Sequence, residues 1–269
     1  MTGPAGLQGW DSHVHVFDAG APALPGHYQP PHRPLHDIEA LAAHNGCGHL
    51  VLVQPSVYGA DNSVMLQALA QEPGRHRGIA VVEPDITDDA LQAMHALGVR
   101  GVRFNLMSPV GNSADVATTF RALAPKLRQL GWHVQWYAGP QAWADIAALH
   151  EGSGLAAVLD HLGGWRADRP PTPQQRQTLQ SLARNGHWIK LSGWYRLDAQ
   201  PPYTALDSVI REVASLFGER IVWGSDWPHT AFAPESAPAY ASQWEPVARS
   251  LDAARQRMVR CTAPAILYA

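Results

Sequence analysis

The chain has 269 residues, of which 46% are hydrophobic and 16% charged, and its formal net charge is −3. This length allows one large domain or two small ones, with enough apolar residues for a substantial core. No basic stripe indicates nucleic-acid binding, and no run of about 18 apolar residues indicates a membrane span. Cys47 and Cys261 match no metal or redox spacing. The N-terminus shows no signal-peptide pattern, so we expect a cytoplasmic protein; its oligomeric state is not predicted.

Short apolar runs recur along the chain with helical patterns between them. The runs are 9–17, 49–54, 78–83, 99–106, 132–137, 155–161, 187–192 and 221–223. Helices are predicted after Asp37 as a cap and over 65–69, 87–97, 120–130, 143–149, 173–184, 209–217 and 244–259. Eight strands alternating with helices predict an α/β fold, a (β/α)8 TIM barrel that forms a single domain over 1–269. A doubly wound open sheet is the alternative.

In such a barrel the residues at the carboxyl ends of the strands meet in one pocket. In chain order these residues are His13, His15, Gln54, Ser56, Arg103, Asn105, Tyr137, His161, Ser192, Arg196, Asp226 and His229. His13 and His15 are two residues apart, so they share one face of the first strand. Asp226 follows the last strand in Gly-Ser-Asp-Trp-Pro-His. A carboxylate there is either a base with a shifted pKa or a helix cap.

Arginines at the ends of strands need an anionic partner. Arg103 ends the fourth run and Arg196 lies just beyond the seventh. Either a protein carboxylate or a substrate carboxylate would satisfy them, and we favour the substrate. Arg100 and His133 lie nearer the starts of their strands, and we interpret both as structural.

Three motifs carry a resemblance to a known family. They are Gly-Val-Arg-Gly-Val-Arg-Phe-Asn at 98–105, Asp-His-Leu-Gly at 160–163 and Trp-Gly-Ser-Asp-Trp-Pro-His at 223–229. With the His-x-His pair of the first strand they resemble the amidohydrolase superfamily, and within it the lactonase branch of 2-pyrone-4,6-dicarboxylate lactonases. The resemblance extends along essentially the whole chain and implies the same barrel fold.

The resemblance implies a hydrolase that opens a carboxylate-bearing lactone in aromatic or sugar-acid catabolism. Asp226 would activate water, and the carbonyl would be polarised by His13, His15 and His161 with Tyr137 alongside. The implied substrate contacts are Arg103, Arg196 and Ser56, to which we add Asn105 and His229 from their places at strand ends. Two arginines of that branch are replaced here by Pro109 and Gly164. Losing two bidentate donors disfavours a rigid dicarboxylate, unless Arg33 or Arg166 substitutes for them.

Binuclear members of the superfamily carry a bridging Glu or modified Lys on strand four and a His on strand five. This chain has Asn105 and Tyr137 there. His13, His15 and Asp226 would still suit one Zn²⁺ with a water. We expect no metal and no other cofactor, because the arginines supply positive charge and Asp226 can act as a base without an ion.

Other functions remain open at this point. A Zn²⁺-dependent hydrolase or decarboxylase of the same superfamily, or a lactone isomerase, would use nearly the same residues. A non-catalytic protein that binds small acids would not need a carboxylate opposite three imidazoles. We therefore favour the lactonase acting on a small molecule that carries a carboxylate.

Overall fold

The computed structural model describes residues 8–25, 28–108, 110, 115–230 and 232–269. At its centre is one sheet of eight parallel strands that pair in chain order. The strands are β1 Gly9–Val14, β2 Cys47–Val53, β3 Arg77–Ala80, β4 Val99–Asn105, β5 His133–Tyr137, β6 Ala157–Leu159, β7 Trp188–Leu191 and β8 Ile221–Trp223. The sheet curves until β8 meets β1, so the (β/α)8 barrel predicted from the apolar runs is confirmed.

Helices cover the outside of the barrel. They are α1 Leu35–His44, α2 Ser63–Gln71, α3 Asp88–Ala96, α4 Val116–Gln129, α5 Trp143–His150, α6 Pro173–Arg184, α7 Asp207–Phe217, α8 Glu245–Ser250, α9 Ala253–Arg257 and α10 Ala263–Leu267. In the described part of the chain, no helix is long and apolar enough to cross a bilayer.

Two helix predictions were wrong in detail. Asp37 is not a cap, because α1 already begins at Leu35 after Pro34, whose extended backbone leads into the helix. The single helix predicted over 244–259 is interrupted by extended backbone at Leu251, and the Asp252 side chain caps a new helix. The apolar pattern alone did not reveal this cap.

Side chains alternate between the two faces of the strands. Outward-facing residues such as Leu52, Val102 and Phe104 join the main apolar cluster between the sheet and the helices. Inward-facing positions in the middle of several strands carry polar groups instead, among them Arg103 and Lys190, which are both buried. The barrel interior is therefore a polar network beneath its carboxyl end.

The C-terminus closes the opposite end of the barrel. Tyr268 is fully buried, and its ring packs against Trp10 and the ring of His133. The starts of two strands hold this tail, since Arg77 Nε donates to the Tyr268 carbonyl over 2.8 Å and Arg100 Nε donates to the last carbonyl over 2.9 Å. Arg100 and His133 thus lie away from the carboxyl end of the barrel, as the sequence predicts.

Candidate active site

The seam between β8 and β1 carries the acid and two of the histidines. The Asp226 amide donates to the His13 carbonyl over 2.9 Å, and the His15 amide donates to the Trp227 carbonyl over 2.9 Å. The strands approach so closely at Gly224 that an added Cβ would lie 2.5 Å from the His13 Cβ. Glycine is therefore required at this point, and the motif sets Asp226 directly beside the histidine pair.

The Asp226 carboxylate is fully buried, and its two oxygens have different surroundings. Oδ2 accepts hydrogen bonds from the Tyr195 hydroxyl over 2.6 Å and from Arg196 Nε. Oδ1 lies 3.6 Å from His13 Nε2 and 3.5 Å from His15 Nε2 and has no hydrogen-bond partner among the described residues. Burial alone would raise the pKa of this carboxyl, but the positive charge of the Arg196 guanidinium holds the pKa well below 3.8. Asp226 is thus an anion at neutral pH, and Oδ1 faces the site.

Three neutral imidazoles surround that oxygen. His15 Nδ1 lies 2.7 Å from the Val53 carbonyl, so Nδ1 carries the proton and Nε2 presents a lone pair. His161 Nδ1 lies 2.9 Å from Ser192 Oγ. The Nε2 atoms of His13 and His161 are buried and find no hydrogen-bond partner within the described ranges. Burial lowers the pKa of all three rings, that of His161 to about 4, so they are uncharged at neutral pH.

Glycines allow neighbouring loops to pack closely around His161. A Cβ on Gly193 would lie 2.3 Å from His161 Nδ1, so the loop after β7 can touch the ring only with glycine there. A Cβ on Gly164 would lie 2.7 Å from the Ala138 carbonyl oxygen. Gly164 therefore lies against the loop after β5.

A cavity of about 100 Å³ opens beside these groups. Predicted site residues in its wall are His15, Ser56, Arg103, Asn105, Tyr137 and Arg196, joined by Tyr28 and Thr230. The centre of the Tyr137 ring lies 5.4 Å from the guanidinium carbon of Arg103 and 5.7 Å from that of Arg196. Two cations on so small a cavity favour an anionic ligand.

Both arginines also bind protein groups. Arg103 Nε donates to Asp160 Oδ2 over 3.2 Å, and Arg196 binds Asp226 Oδ2 through Nε and Thr230 Oγ1 through Nη2 over 3.3 Å. The sequence left two anionic partners open for these arginines, a protein carboxylate or a substrate carboxylate. Each arginine can bind both at once. A guanidinium has five N–H donors, so these bonds leave donors for a substrate carboxylate.

Two predicted substrate contacts are placed differently from the expectation. A tight turn, in which the His229 amide donates to the Asp226 carbonyl over 3.0 Å, turns the His229 ring back until Nε2 lies 3.2 Å from the Ser225 carbonyl. His229 consequently lines a neighbouring cavity of about 560 Å³ instead. Asn105 does line the smaller cavity, but its Oδ1 accepts the Met107 amide over 3.1 Å and so orders the loop after β4.

The arginines suggested as substitutes for the two missing ones do not reach the smaller cavity. Arg166 Nη2 donates to Asp168 Oδ2 over 2.7 Å, and the same guanidinium pairs with Asp198. Arg33 lines the neighbouring cavity of about 560 Å³. Pro109, the other departure noted in the sequence, lies outside the described residues.

Several residues of the site were missed from the sequence. Tyr195 binds Asp226, and Asp160 binds Arg103. Lys190 lies within 3.4 Å of His13 Nδ1. Lys190 interrupts the apolar run of β7, and a lone charge in an otherwise apolar strand was the signal available to find it.

The convergence of His13, His161 and Asp226 also fits a metal ion. One ligand atom from each lies within 4.8 Å of the others. His13 Nε2, His161 Nε2 and Asp226 Oδ1 also lack hydrogen-bond partners in the part of the chain described. The expected ligand set contained His15 in place of His161. The left-handed backbone of His161, with φ of 51°, turns its ring to within 4.9 Å of the His13 ring and accounts for the exchange. Three such ligands plus water suit a catalytic Zn²⁺.

An aspartate and paired histidines at the carboxyl end of a parallel barrel define a class of hydrolytic enzymes, and comparison with known proteins supports this class. Residues 10–269 match the amidohydrolase family. The chain belongs to this family, which confirms the resemblance seen in the motifs.

Its relatives include named lactone hydrolases. It is 31% identical over 266 residues to a 4-sulfomuconolactone hydrolase of Rhizobium radiobacter, covering 96% of this chain and 89% of the relative. It is 32% identical over 244 residues to a 2-pyrone-4,6-dicarboxylate hydrolase of Comamonas testosteroni, covering 84% of this chain and 78% of the relative. A crystal structure from Pseudomonas putida, provisionally a 2-pyrone-4,6-dicarboxylic acid hydrolase, superposes with a TM-score of 0.87 at 31% identity, covering 98% of each chain. These names agree with the prediction of a hydrolase that acts on a cyclic ester.

Proposed function

We propose that the chain hydrolyses a small lactone bearing one carboxylate, with Asp226 as the base and without a metal ion. The observation that carries the proposal is the environment of Asp226. One oxygen is held by Tyr195 and Arg196, while the other faces three neutral imidazoles beside a cavity with two arginines. A cytoplasmic location remains a prediction from the sequence.

The reaction follows from these positions. A water on Asp226 Oδ1 gives its proton to the carboxylate while its oxygen bonds to the lactone carbonyl carbon. Imidazole N–H groups and the Tyr137 hydroxyl stabilise the oxyanion. The ring C–O bond then breaks, and the departing alkoxide takes the proton back from Asp226. The products are one hydroxyl and one carboxylic acid, which releases its proton to solvent and becomes a carboxylate.

Arg196 links substrate binding to the strength of the base. Its guanidinium contacts both Asp226 Oδ2 and the cavity. A substrate carboxylate on Arg196 competes with Oδ2 for the same positive charge, so binding makes Asp226 a stronger base. Arg103, which lines the same cavity and also lies against the Tyr137 ring, holds the second carboxylate oxygen.

A Zn²⁺-dependent hydrolase is the second candidate, favoured by the three convergent atoms of His13, His161 and Asp226. When bound, an ion there would lower the pKa of a coordinated water and polarise the carbonyl. Asn105 and Tyr137 stand where binuclear members of the superfamily have ligands. This difference supports the proposal without metal.

A panel of monocyclic lactones with one or two carboxylates tests the proposal. We expect hydrolysis of monocarboxylates, with one atom of ¹⁸O from labelled water in the product; ring-ester migration without ¹⁸O would indicate an isomerase. Asp226→Asn should lower kcat by about 10³ to 10⁴-fold. The exposed Asp145→Asn on α5 serves as the matched control and should leave kcat unchanged. An Asp226→Asn enzyme that keeps most of its activity would overturn the mechanism.

A further inference from the structure

Lys190 is a fully buried lysine at the centre of the barrel, below the catalytic groups. It is one of only two lysines in the chain; Lys126 is the other. Its ammonium donates to the Ser12 carbonyl over 2.9 Å and to Gln135 Oε1 over 2.6 Å. A buried lysine is rare unless it is paired, and these two bonds join β7 to β1 and β5.

Asp160 is the counter-ion and connects this lysine with the site. Its Oδ2 accepts Arg103 Nε over 3.2 Å and Gln135 Nε2 over 2.9 Å. Its Oδ1 lies 3.5 Å from Lys190 Nζ and 3.4 Å from His13 Nδ1. The ion pair therefore touches both an anion-binding arginine and a catalytic histidine.

His13 Nδ1 has two charged neighbours that require opposite tautomers. The Lys190 ammonium lies 3.4 Å away and can only donate, whereas the Asp160 carboxylate lies 3.4 Å away and can only accept. The first arrangement puts the ring proton of His13 on Nε2, and the second puts it on Nδ1. Two of the three ammonium protons are donated to the Ser12 carbonyl and to Gln135 Oε1. If the third is donated to His13 Nδ1, the ring proton of His13 must be on Nε2.

The geometry favours the lysine. The contact from Lys190 Nζ to His13 Nδ1 is aligned as a hydrogen bond, whereas Asp160 Oδ1 finds no hydrogen-bond partner among the described residues. A proton on His13 Nε2 would point toward Asp226 Oδ1, 3.6 Å away. His15 presents a lone pair to the same oxygen, so a donor from His13 complements it.

We propose that Lys190 is a positioning residue that holds His13 in the tautomer with its proton on Nε2, ready to donate to the lactone carbonyl. The role rests on the proposed function. Arginine, with its planar fork of donors, would not replace the compact ammonium at this point.

The tautomer is observable without any substrate. In ¹⁵N-histidine-labelled protein at neutral pH, His13 is assigned by comparison with His13→Asn. We expect its Nε2 to be protonated and its Nδ1 to be bare. Lys190→Met should move the proton to Nδ1, facing Asp160, and lower kcat about 10²-fold with KM within a factor of about three. Lys126→Met is the matched control, because Lys126 is a partly exposed lysine on α4, outside the barrel.

The wild-type spectrum is decisive even if Lys190→Met does not fold. A wild-type His13 with its proton on Nδ1, or with protons on both nitrogens, overturns the proposal. So does a folded Lys190→Met protein that keeps the proton on Nε2. If the enzyme opens no lactone, the proposed function fails, but the tautomer measurement still stands or falls independently.

Discussion

His150, which lies behind the sheet, and the histidines at the carboxyl end of the barrel are all buried, but their nitrogens are satisfied differently. Behind the sheet, His150 Nδ1 donates to the Leu155 carbonyl over 2.9 Å, and its Nε2 accepts the Trp136 indole N–H over 2.9 Å. At the carboxyl end of the barrel, the Nε2 atoms of His13 and His161 are buried and unsatisfied by described residues. The first arrangement is typical of a structural histidine, whereas two unsatisfied imidazole nitrogens beside the unsatisfied Asp226 Oδ1 are typical of a functional site.

The difference shows that burial and residue type do not identify a catalytic histidine. Burial lowers the pKa of both His150 and His161 to about 4, so the pKa does not separate them either. What separates them is backbone strain and partners. His161, Asp226 and His229 all have left-handed backbone, which is costly for residues other than glycine and often marks functional sites.

Between these histidines, the larger loss of activity should come from His161, whose Nε2 has no hydrogen-bond partner among the described residues. His161→Asn keeps a polar atom near Ser192 but removes the buried Nε2, which has no hydrogen-bond partner among the described residues. We expect kcat to fall by about 10² to 10³-fold, as for the loss of one group that stabilises an oxyanion. Steady-state kinetics on the best lactone measure this. Activity within threefold of wild type would remove His161 from the mechanism.

Arginines offer a second contrast, between Arg103 in the cavity wall and Arg166 on the surface. Arg103→Met removes charge-assisted hydrogen bonds worth about 1.5–3 kcal/mol, so KM for a carboxylated lactone should rise about 10 to 100-fold. Arg166→Met should leave KM within about twofold, because its guanidinium pairs with Asp168 and Asp198. If Arg166→Met raises KM more than Arg103→Met does, the substrate carboxylate binds nearer the surface than we propose.

The satisfied histidine should affect stability rather than rate. His150→Phe leaves the Trp136 indole N–H and the Leu155 carbonyl without partners, which should cost about 2–4 kcal/mol in the free energy of unfolding, with kcat nearly unchanged. Urea unfolding at pH 7 measures the loss. A variant as stable as wild type but slow in turnover would reverse the assignment of the two regions.

The pH dependence of stability sharpens the same prediction. The folded-state pKa of His150 is about 4, below the 6.5 of an unperturbed histidine. The contribution of His150 to the free energy of unfolding is therefore fully present above pH 6.5. It is lost as the pH falls toward 4, because the histidine of the unfolded chain takes up a proton before that of the folded chain. Between pH 7 and 5, His150→Phe should lose less stability than wild type.

Much of the fold and part of the site could be predicted from the sequence. Eight apolar runs with helices between them predict the barrel, and strand ends then bring His13, His161 and Asp226 together. Lys190 could not be assigned a role, because its partner Gln135 lies 55 residues away and is identified only by the register of the strands. His229 was misplaced because a left-handed turn, which no local pattern reveals, carries it away from the cavity.

The structure also explains why Gly164 stands where the lactonase pattern has an arginine. Gly164 has a φ of 76° and lies against the Ala138 carbonyl, so an arginine there would require the adjoining loop to move. Arg103 and Arg196 are thus the two guanidinium groups in the wall of the cavity. This arrangement supports a substrate with a single carboxylate.

The central claim is that Asp226 activates water without a metal ion. The most direct test measures lactone hydrolysis before and after exhaustive chelation, with metal content determined on the same samples and Zn²⁺ then added back. We predict the same kcat in all three states at a metal content far below one ion per chain. Activity that disappears on chelation and returns with Zn²⁺ would contradict the account and assign His13, His161 and Asp226 as metal ligands.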